Sequence, residues 1–392
     1  MNTEKFFELY EPLHGELVEL SKYICENPEL GHQEFKACAA HAELLEKHGF
    51  KVEVGYLGLP TAFRAEFDSG KPGPTICYLA EYDALPEIGH GCGHNILGTV
   101  STGSGILLSK VINEFGGRVV IGGTPAEETS GGKVTFAENG AFDDIDVVLI
   151  SHPMDEDLES GSSLALEALQ FTFIGKPSHA AAAPEKGINA LDACLATFHS
   201  INALREHVLS TTRIHGIVKE GGVAANIVPE RAVAQFYVRT TKKSYLKEVV
   251  EKVKNCARAG ALAAGAELEI TNFELSYDDL LTNTTMQKRL SENLNAVGIT
   301  NIKKAHAISG SSDVGNVSYV CPTVHNDYNI FAEGEQTFPP HTREFRDATL
   351  RPAALEAMRK NVVAQAMTGL NIIQEPEFLE AVKAEFHKQI AE

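Results

Sequence analysis

Thr75-Ile-Cys-Tyr-Leu-Ala80 runs into Glu81-Tyr82-Asp83 and then Gly91-Cys92-Gly93-His94. A short continuous apolar run bounded by turn residues reads as a strand buried on both faces. Two later stretches repeat the form. Arg118-Val-Val-Ile-Gly-Gly-Thr124 leads into Pro125-Ala126-Glu127-Glu128, and Val147-Val-Leu-Ile-Ser151 leads into His152. In open α/β sheets, ligands gather outside the carboxyl ends of such strands. Three strands then deliver thiolate, imidazole and carboxylate to one edge. That predicts a metal site, and the acid pair beside it suggests hydrolysis.

Working outward, residues 4–48 read as helical, with Leu13, Leu17, Leu20 and Ile24 at three- and four-residue spacing. A second helix is expected from Gln33 to His48, stopping at Gly49, and another over Asn95–Asn113. The character changes near residue 163. Strands are expected over 164–174, 211–219, 231–240 and 267–275, with helices over 187–207 and 244–264. This β-α-β-β-α-β order is the ferredoxin-like pattern. Long helical stretches follow at 349–367 and 377–390. The expected architecture is α/β: a mixed, mostly parallel sheet with flanking helices, built from residues 1–163 and 278–392. A ferredoxin-like α+β insert over residues 164–277 interrupts it.

A chain of 392 residues can hold more than one domain. Its 22% charged and 43% hydrophobic residues are ordinary for a folded globular protein. No run approaches the ~18 apolar residues of a membrane span. The formal charge of −19 argues against nucleic acid and against anionic membranes as partners. A small anionic substrate stays compatible, because a local arginine can override a distant net charge. The N-terminus lacks a signal-peptide pattern, and the seven cysteines lack a paired framework. A reduced, cytoplasmic setting is the expectation.

Cys92 and His94 place a thiolate and an imidazole two residues apart, around a glycine that permits a tight path. This pair suits zinc, with manganese or another divalent ion compatible where carboxylates share the site. Alone, each group is ordinary: a buried cysteine, a solvated acid pair, a strand-end histidine. Three such groups at three neighbouring strand ends favour metal binding. Adjacent side chains in an extended segment point oppositely. One of Glu127 and Glu128 can then ligate while the other faces the water. Asp83 either orients a ligand from behind or is a turn residue.

The motifs Glu81-Tyr-Asp-Ala-Leu-Pro86, Gly91-Cys-Gly-His-Asn95, Pro125-Ala-Glu-Glu128, Ser151-His-Pro153 and Gly175-Lys-Pro-Ser-His179 resemble those of the aminoacylase/carboxypeptidase-type metallopeptidase amidohydrolases. The resemblance is strongest to the branch with the aminobenzoyl-glutamate hydrolases and β-alanyl-lysine dipeptidases. It implies a zinc-peptidase-like catalytic domain with two divalent ions, zinc or manganese, and a lid domain through which a homodimer or larger homo-oligomer forms. It implies cleavage of an amide bond beside a free carboxylate, in an N-acyl amino acid or short dipeptide. By motif, Cys92, His94, Glu128, His152 and His341 match metal ligands and Glu127 the general base. His179 matches a lid histidine that polarises the scissile carbonyl, often across a dimer interface. Asn226 and Arg239 match the residues that hold the substrate carboxylate, and Gly310 and Ser311 belong to a substrate-side loop. Many members have a ligating His-x-Asp where this chain has Glu81-Tyr82-Asp83, so the bridging ligand is left open. The competing expectation is a catalytically silent binding or assembly protein with a structural metal. Retention of Glu127 beside a full ligand set argues against it.

Overall fold

The computed structural model describes residues 3–306 and 310–391. The chain divides into two compact units. One comprises Met1–Ser162, Leu280–Ile308 and Asp313–Glu392; the other comprises Ser163–Asp279 and Ser309–Ser312.

The first unit begins with helices Thr3–Glu26 and Phe35–Lys47. The second matches the helix expected from Gln33 to His48, and the turn-rich residues 27–34, where Pro28 and Gly31 interrupt the spacing, separate the two. Five strands follow: β1 Lys51–Val54, β2 Phe63–Asp68, β3 Thr75–Ala80, β4 Arg118–Gly123 and β5 Val147–Met154. All six residues of β3 are buried, as expected of a strand covered on both faces. The helix His94–Phe115 connects β3 to β4 and is buried along nearly its whole length. It packs against β3 and against the helix Pro352–Gln374.

The second unit contributes β6 Ala165–Ile174, β7 Arg213–Glu220, β8 Arg231–Thr240 and β9 Glu267–Asn272. Helix Ala190–Leu204 lies between β6 and β7, and helix Lys243–Ala264 between β8 and β9. The sheet order is β7-β8-β6-β9, and every pair is antiparallel. That is the β-α-β-β-α-β order read from the sequence. Phe171, Phe173, Phe236, Val249 and Val253 fill the layer between this sheet and its two helices.

The chain then returns to the first unit and adds β10 Thr323–Asn329. The six-stranded sheet has the order β1-β2-β4-β3-β5-β10. Strands β4, β3, β5 and β10 are parallel; β2 runs antiparallel to β4, and β1 to β2. The carboxyl ends of β4, β3 and β5 are thus true neighbours. The helix expected over 349–367 is Pro352–Gln374, which Pro352 opens at its first turn and which runs past residue 367; a separate short helix, Arg343–Ala348, precedes it. Among the described residues, no helix is long and apolar enough to cross a membrane.

Candidate metal centre

Each ligand candidate is held by its own local device. Gly93 sits at φ +79°, and a Cβ there would lie 2.6 Å from Pro153 Cγ. Only glycine fits that turn, which ends the loop after β3 and starts the helix at His94. His94 is fully buried. Its Nδ1 lies 2.9 Å from Asp83 Oδ1 and 3.1 Å from the Asp83 carbonyl. The other oxygen of Asp83 accepts the Glu128 amide N–H at 2.9 Å. Asp83 therefore orients the His94 ring and anchors the acid turn with one carboxylate.

His152 lies inside β5 rather than just beyond it, since the strand continues to Met154. Its Nδ1 donates to the Pro153 carbonyl at 2.8 Å, which turns Nε2 toward Cys92 Sγ, 3.5 Å away. Burial and the neighbouring His94 push its pKa down to about 3, so the ring is neutral with a free lone pair. His341 has a left-handed backbone, φ +68°, and its amide donates to the Gly91 carbonyl at 2.8 Å. Its Nε2 stands 3.5 Å from Glu128 Oε1. Burial opposes ionisation of Glu128, but His341 and His94 prevail and lower its pKa to about 2.

The acid pair is arranged differently from the extended segment expected. Ala126 has φ +60°, and Glu127–Ser130 form a turn. The two side chains converge, with a carboxylate oxygen of each within 4.8 Å of the other and of a His94 ring nitrogen. Glu34, fully buried, clamps this turn. It accepts the Ala126 N–H at 2.8 Å on one oxygen and the Thr61 hydroxyl at 2.8 Å on the other.

Three ligand groups result: Cys92–His94–His152, Cys92–Glu128–His341 and His94–Glu127–Glu128. The donor set suits a divalent ion. Two buried atoms agree with this. Among the described residues, His94 Nε2 and Glu128 Oε1 have no hydrogen-bond partner. Burial disfavours a charged His94, yet Asp83 and Cys92 raise its pKa well above the usual value. The surroundings therefore call for positive charge at Nε2. Burial likewise pushes the Cys92 thiol well up, which a bound cation would reverse.

The remaining candidates lie in the second unit. The His179 Nδ1 accepts the amides of Ala181 and Ala182 at 3.3 and 3.1 Å. The ring proton must then sit on Nε2, leaving an outward donor. The β6/β8 ladder continues past Ile174↔Arg231 to His179↔Ile227, and Ala180 N–H donates to the Asn226 carbonyl. His179 and Asn226 are therefore together. Arg239 is not with them. It pairs with Leu166 at the far end of the same ladder, and its Nη1 donates to Ser311 Oγ at 3.1 Å. Gly310 is also at that end, its carbonyl accepting the Leu164 amide. From Arg231 to Arg239 the strand alone spans roughly 26 Å at about 3.3 Å per residue. The thirteen-residue spacing of Asn226 and Arg239 thus separates them instead of joining them.

Sequence reading missed Lys133 and His325, and it gave no role of its own to Glu81, which stands where many members carry a ligating histidine. Glu81, Lys133 and Asp313 are all buried within the first unit, and Lys133 Nζ lies 2.7 Å from a carboxylate oxygen of each acid. Gly131-Gly132-Lys133 carries no recognisable ligand spacing. His325 comes from β10, for which no strand was expected; its ring lies 5.9 Å from that of His152.

Residues 167–264 match the family model described as "Peptidase dimerisation domain". The Xaa-Arg dipeptidase of Mus musculus is 34% identical over 391 residues, 95% of this chain and 89% of the relative. One component of the p-aminobenzoyl-glutamate hydrolase of Escherichia coli K12 is 31% identical over 301 residues, 71% of this chain and 62% of the relative. Among solved structures, an aminobenzoyl-glutamate utilization protein from Klebsiella pneumoniae superposes with a TM-score of 0.74 at 17% identity, covering 94% of this chain and 98% of that one. A dinuclear metal-binding M20 peptidase from Bacillus subtilis does so at 0.65 and 21%, covering 90% and 98%. With this likeness over almost its whole length, the chain belongs to the M20 family of peptidases and amidohydrolases and is an enzyme of that class.

Proposed function

We propose that this enzyme hydrolyses the amide bond of a short dipeptide or N-acyl amino acid that carries a free carboxylate. The observation that carries the reading is the convergence of Cys92, His94, His152, Glu128 and His341 in overlapping ligand groups, with Glu127 sharing one of them with His94 and Glu128. Their donor atoms would hold two divalent ions, zinc or manganese. Such ions would supply Lewis-acid polarisation of the scissile carbonyl and a more acidic water. Glu127 takes the proton from that water and returns it to the leaving amine. Asp83 keeps His94 in one orientation, and Glu34 keeps the Glu127 turn in place. Arg239 forks onto the substrate carboxylate, with Ser311 fixing its Nη1.

His179 donates from Nε2 to the oxygen on which charge develops. It shares its end of the ladder with Asn226, some 26 Å or more from Arg239 by the strand estimate above. A dipeptide is far shorter than that. One chain therefore cannot bring both ends of its second unit to a single substrate, which supports an enzyme that works as a homodimer with His179 and Asn226 serving the partner's site. Mixed protomers check this. Glu127→Gln and His179→Ala should each be nearly inactive alone, and co-assembled hybrids should regain part of the lost turnover. Absence of any recovery would place His179 in its own chain's site.

The reaction itself is tested with acyl-amino acids, aminobenzoyl-glutamate and a panel of dipeptides, with and without added zinc or manganese. Metal-dependent cleavage is the expected result; metal binding without turnover on any member would leave a binding protein. Arg239→Ala should weaken free-carboxylate substrates by about 1.5–3 kcal/mol in kcat/KM relative to their amide-capped analogues. Equal losses on capped and free substrates would remove Arg239 as the carboxylate anchor.

A further inference from the structure

A lysine with no exposed surface requires an explanation, because burying an ammonium costs several kcal/mol unless it is closely paired. Lys133 has two partners. Its Nζ lies 2.7 Å from Asp313 Oδ1 and 2.7 Å from Glu81 Oε1. Asp313 is itself fixed, since its Oδ2 accepts the Lys133 amide at 2.9 Å. One ammonium offsets only one of these two carboxylates. The second Glu81 oxygen, Oε2, stands 3.2 Å from His94 Nε2.

That nitrogen is the one left for a metal, because Asp83 occupies Nδ1. Glu81 Oε1 is taken by Lys133, whereas the buried Glu81 Oε2 and His94 Nε2 make no hydrogen bond among the described residues. Two donors on one tetrahedral zinc, each about 2.1 Å from it, lie roughly 3.4 Å apart. The observed 3.2 Å matches two ligands of one ion. It is also short enough for a simple ion pair between Glu81 and a protonated His94, so the two readings need separating.

The geometry points to Glu81 as an additional metal ligand on the His94 side of the centre, held in place by Lys133 and Asp313. This rests on the metal-centre reading above and extends it to a residue outside all three ligand groups. Lys133 is a positioning residue in this arrangement. It takes one carboxylate oxygen, so Glu81 presents a single oxygen to the ion and cannot chelate it with both. The Lys133–Asp313 pair ties that oxygen to the start of the helix Gly132–Glu138, which follows the Glu127–Glu128 turn.

Cobalt-substituted full-length protein provides the test, read by its visible spectrum and by cobalt titration, with circular dichroism confirming the fold. Glu81→Gln should alter the ligand-field bands and weaken one class of cobalt binding by roughly tenfold or more, the scale on which groups around a metal act. Lys133→Met keeps the carboxylate but releases it, and should shift the bands less while still weakening binding. The double variant Lys133→Met/Asp313→Asn removes one buried charge of each sign, so it guards against misfolding of Lys133→Met, and should resemble Lys133→Met. An unchanged spectrum and affinity in Glu81→Gln would reduce Glu81 to the counter-ion of Lys133 and overturn the assignment. A wild-type protein that takes up no cobalt overturns the centre itself, which is a distinct result.

Discussion

Glu127→Gln should lower turnover by roughly 10²–10⁴-fold, the usual contribution of a general base, while metal content stays near that of the wild type. The substitution keeps shape and removes only the ability to hold a proton. Burial raises the Glu127 pKa well above the ordinary carboxylate value, and the neighbouring Glu81, Asp313 and Glu128 raise it further. A base must be ionised to act, so wild-type activity should fall on an acid limb as Glu127 takes up a proton, at a lower pH than in the metal-free protein because bound cations favour the carboxylate. The residual activity of Glu127→Gln should lack this acid limb. Elemental analysis beside a pH–rate profile decides the matter. Near-wild-type turnover would end the assignment of Glu127 as base.

Removing Cys92 should cost more metal than removing His152 or His341. Its sulfur belongs to both the His94–His152 group and the Glu128–His341 group, whereas His152 belongs to one. Cys92→Ala is expected to lose metal and activity together, and His152→Ala to lose mainly one class of site. Thermal denaturation gives a second readout, because an ion that binds only the folded state stabilises it. At a hundred times Kd that amounts to about 2.7 kcal/mol. The wild type should gain this stabilisation on metal addition, and Cys92→Ala should lose most of it. A Cys92→Ala protein with full metal content would remove the thiolate from the centre.

The strands that form the floor of the site were readable because burial on both faces leaves a strong local mark. Thr75–Ala80 and the runs after Arg118 and Val147 are apolar at consecutive positions, and the structure places them side by side in β3, β4 and β5. The insert was readable for a related reason: its strands and helices alternate with clear changes of period. Strand β10 left a weaker mark. Thr323–Asn329 carries His325, Asn326 and Asp327 among its seven residues, so it does not read as a buried strand, and the candidate His325 went with it.

The convergence at the site is another matter. The conformation of the Glu127–Glu128 turn depends on Glu34, ninety-two residues earlier than the amide it binds. A local rule for extended chain predicted diverging side chains, and a distant carboxylate holding a left-handed Ala126 made them converge. Lys133 looks like a surface lysine in the sequence, because nothing local reveals that Glu81 and Asp313 will enclose it.

The sequence by itself determined the sheet that carries the ligands, the α+β insert, and the chemical kinds of group delivered to the strand ends. These follow from burial period and turn chemistry, which act over a few residues. Tertiary structure alone decided which atom of each group faces the centre, which charges are buried together, and that Asn226 and Arg239 stand at opposite ends of one ladder. Orientation and charge pairing depend on partners far away in the chain, and spacing along the sequence carries no record of them.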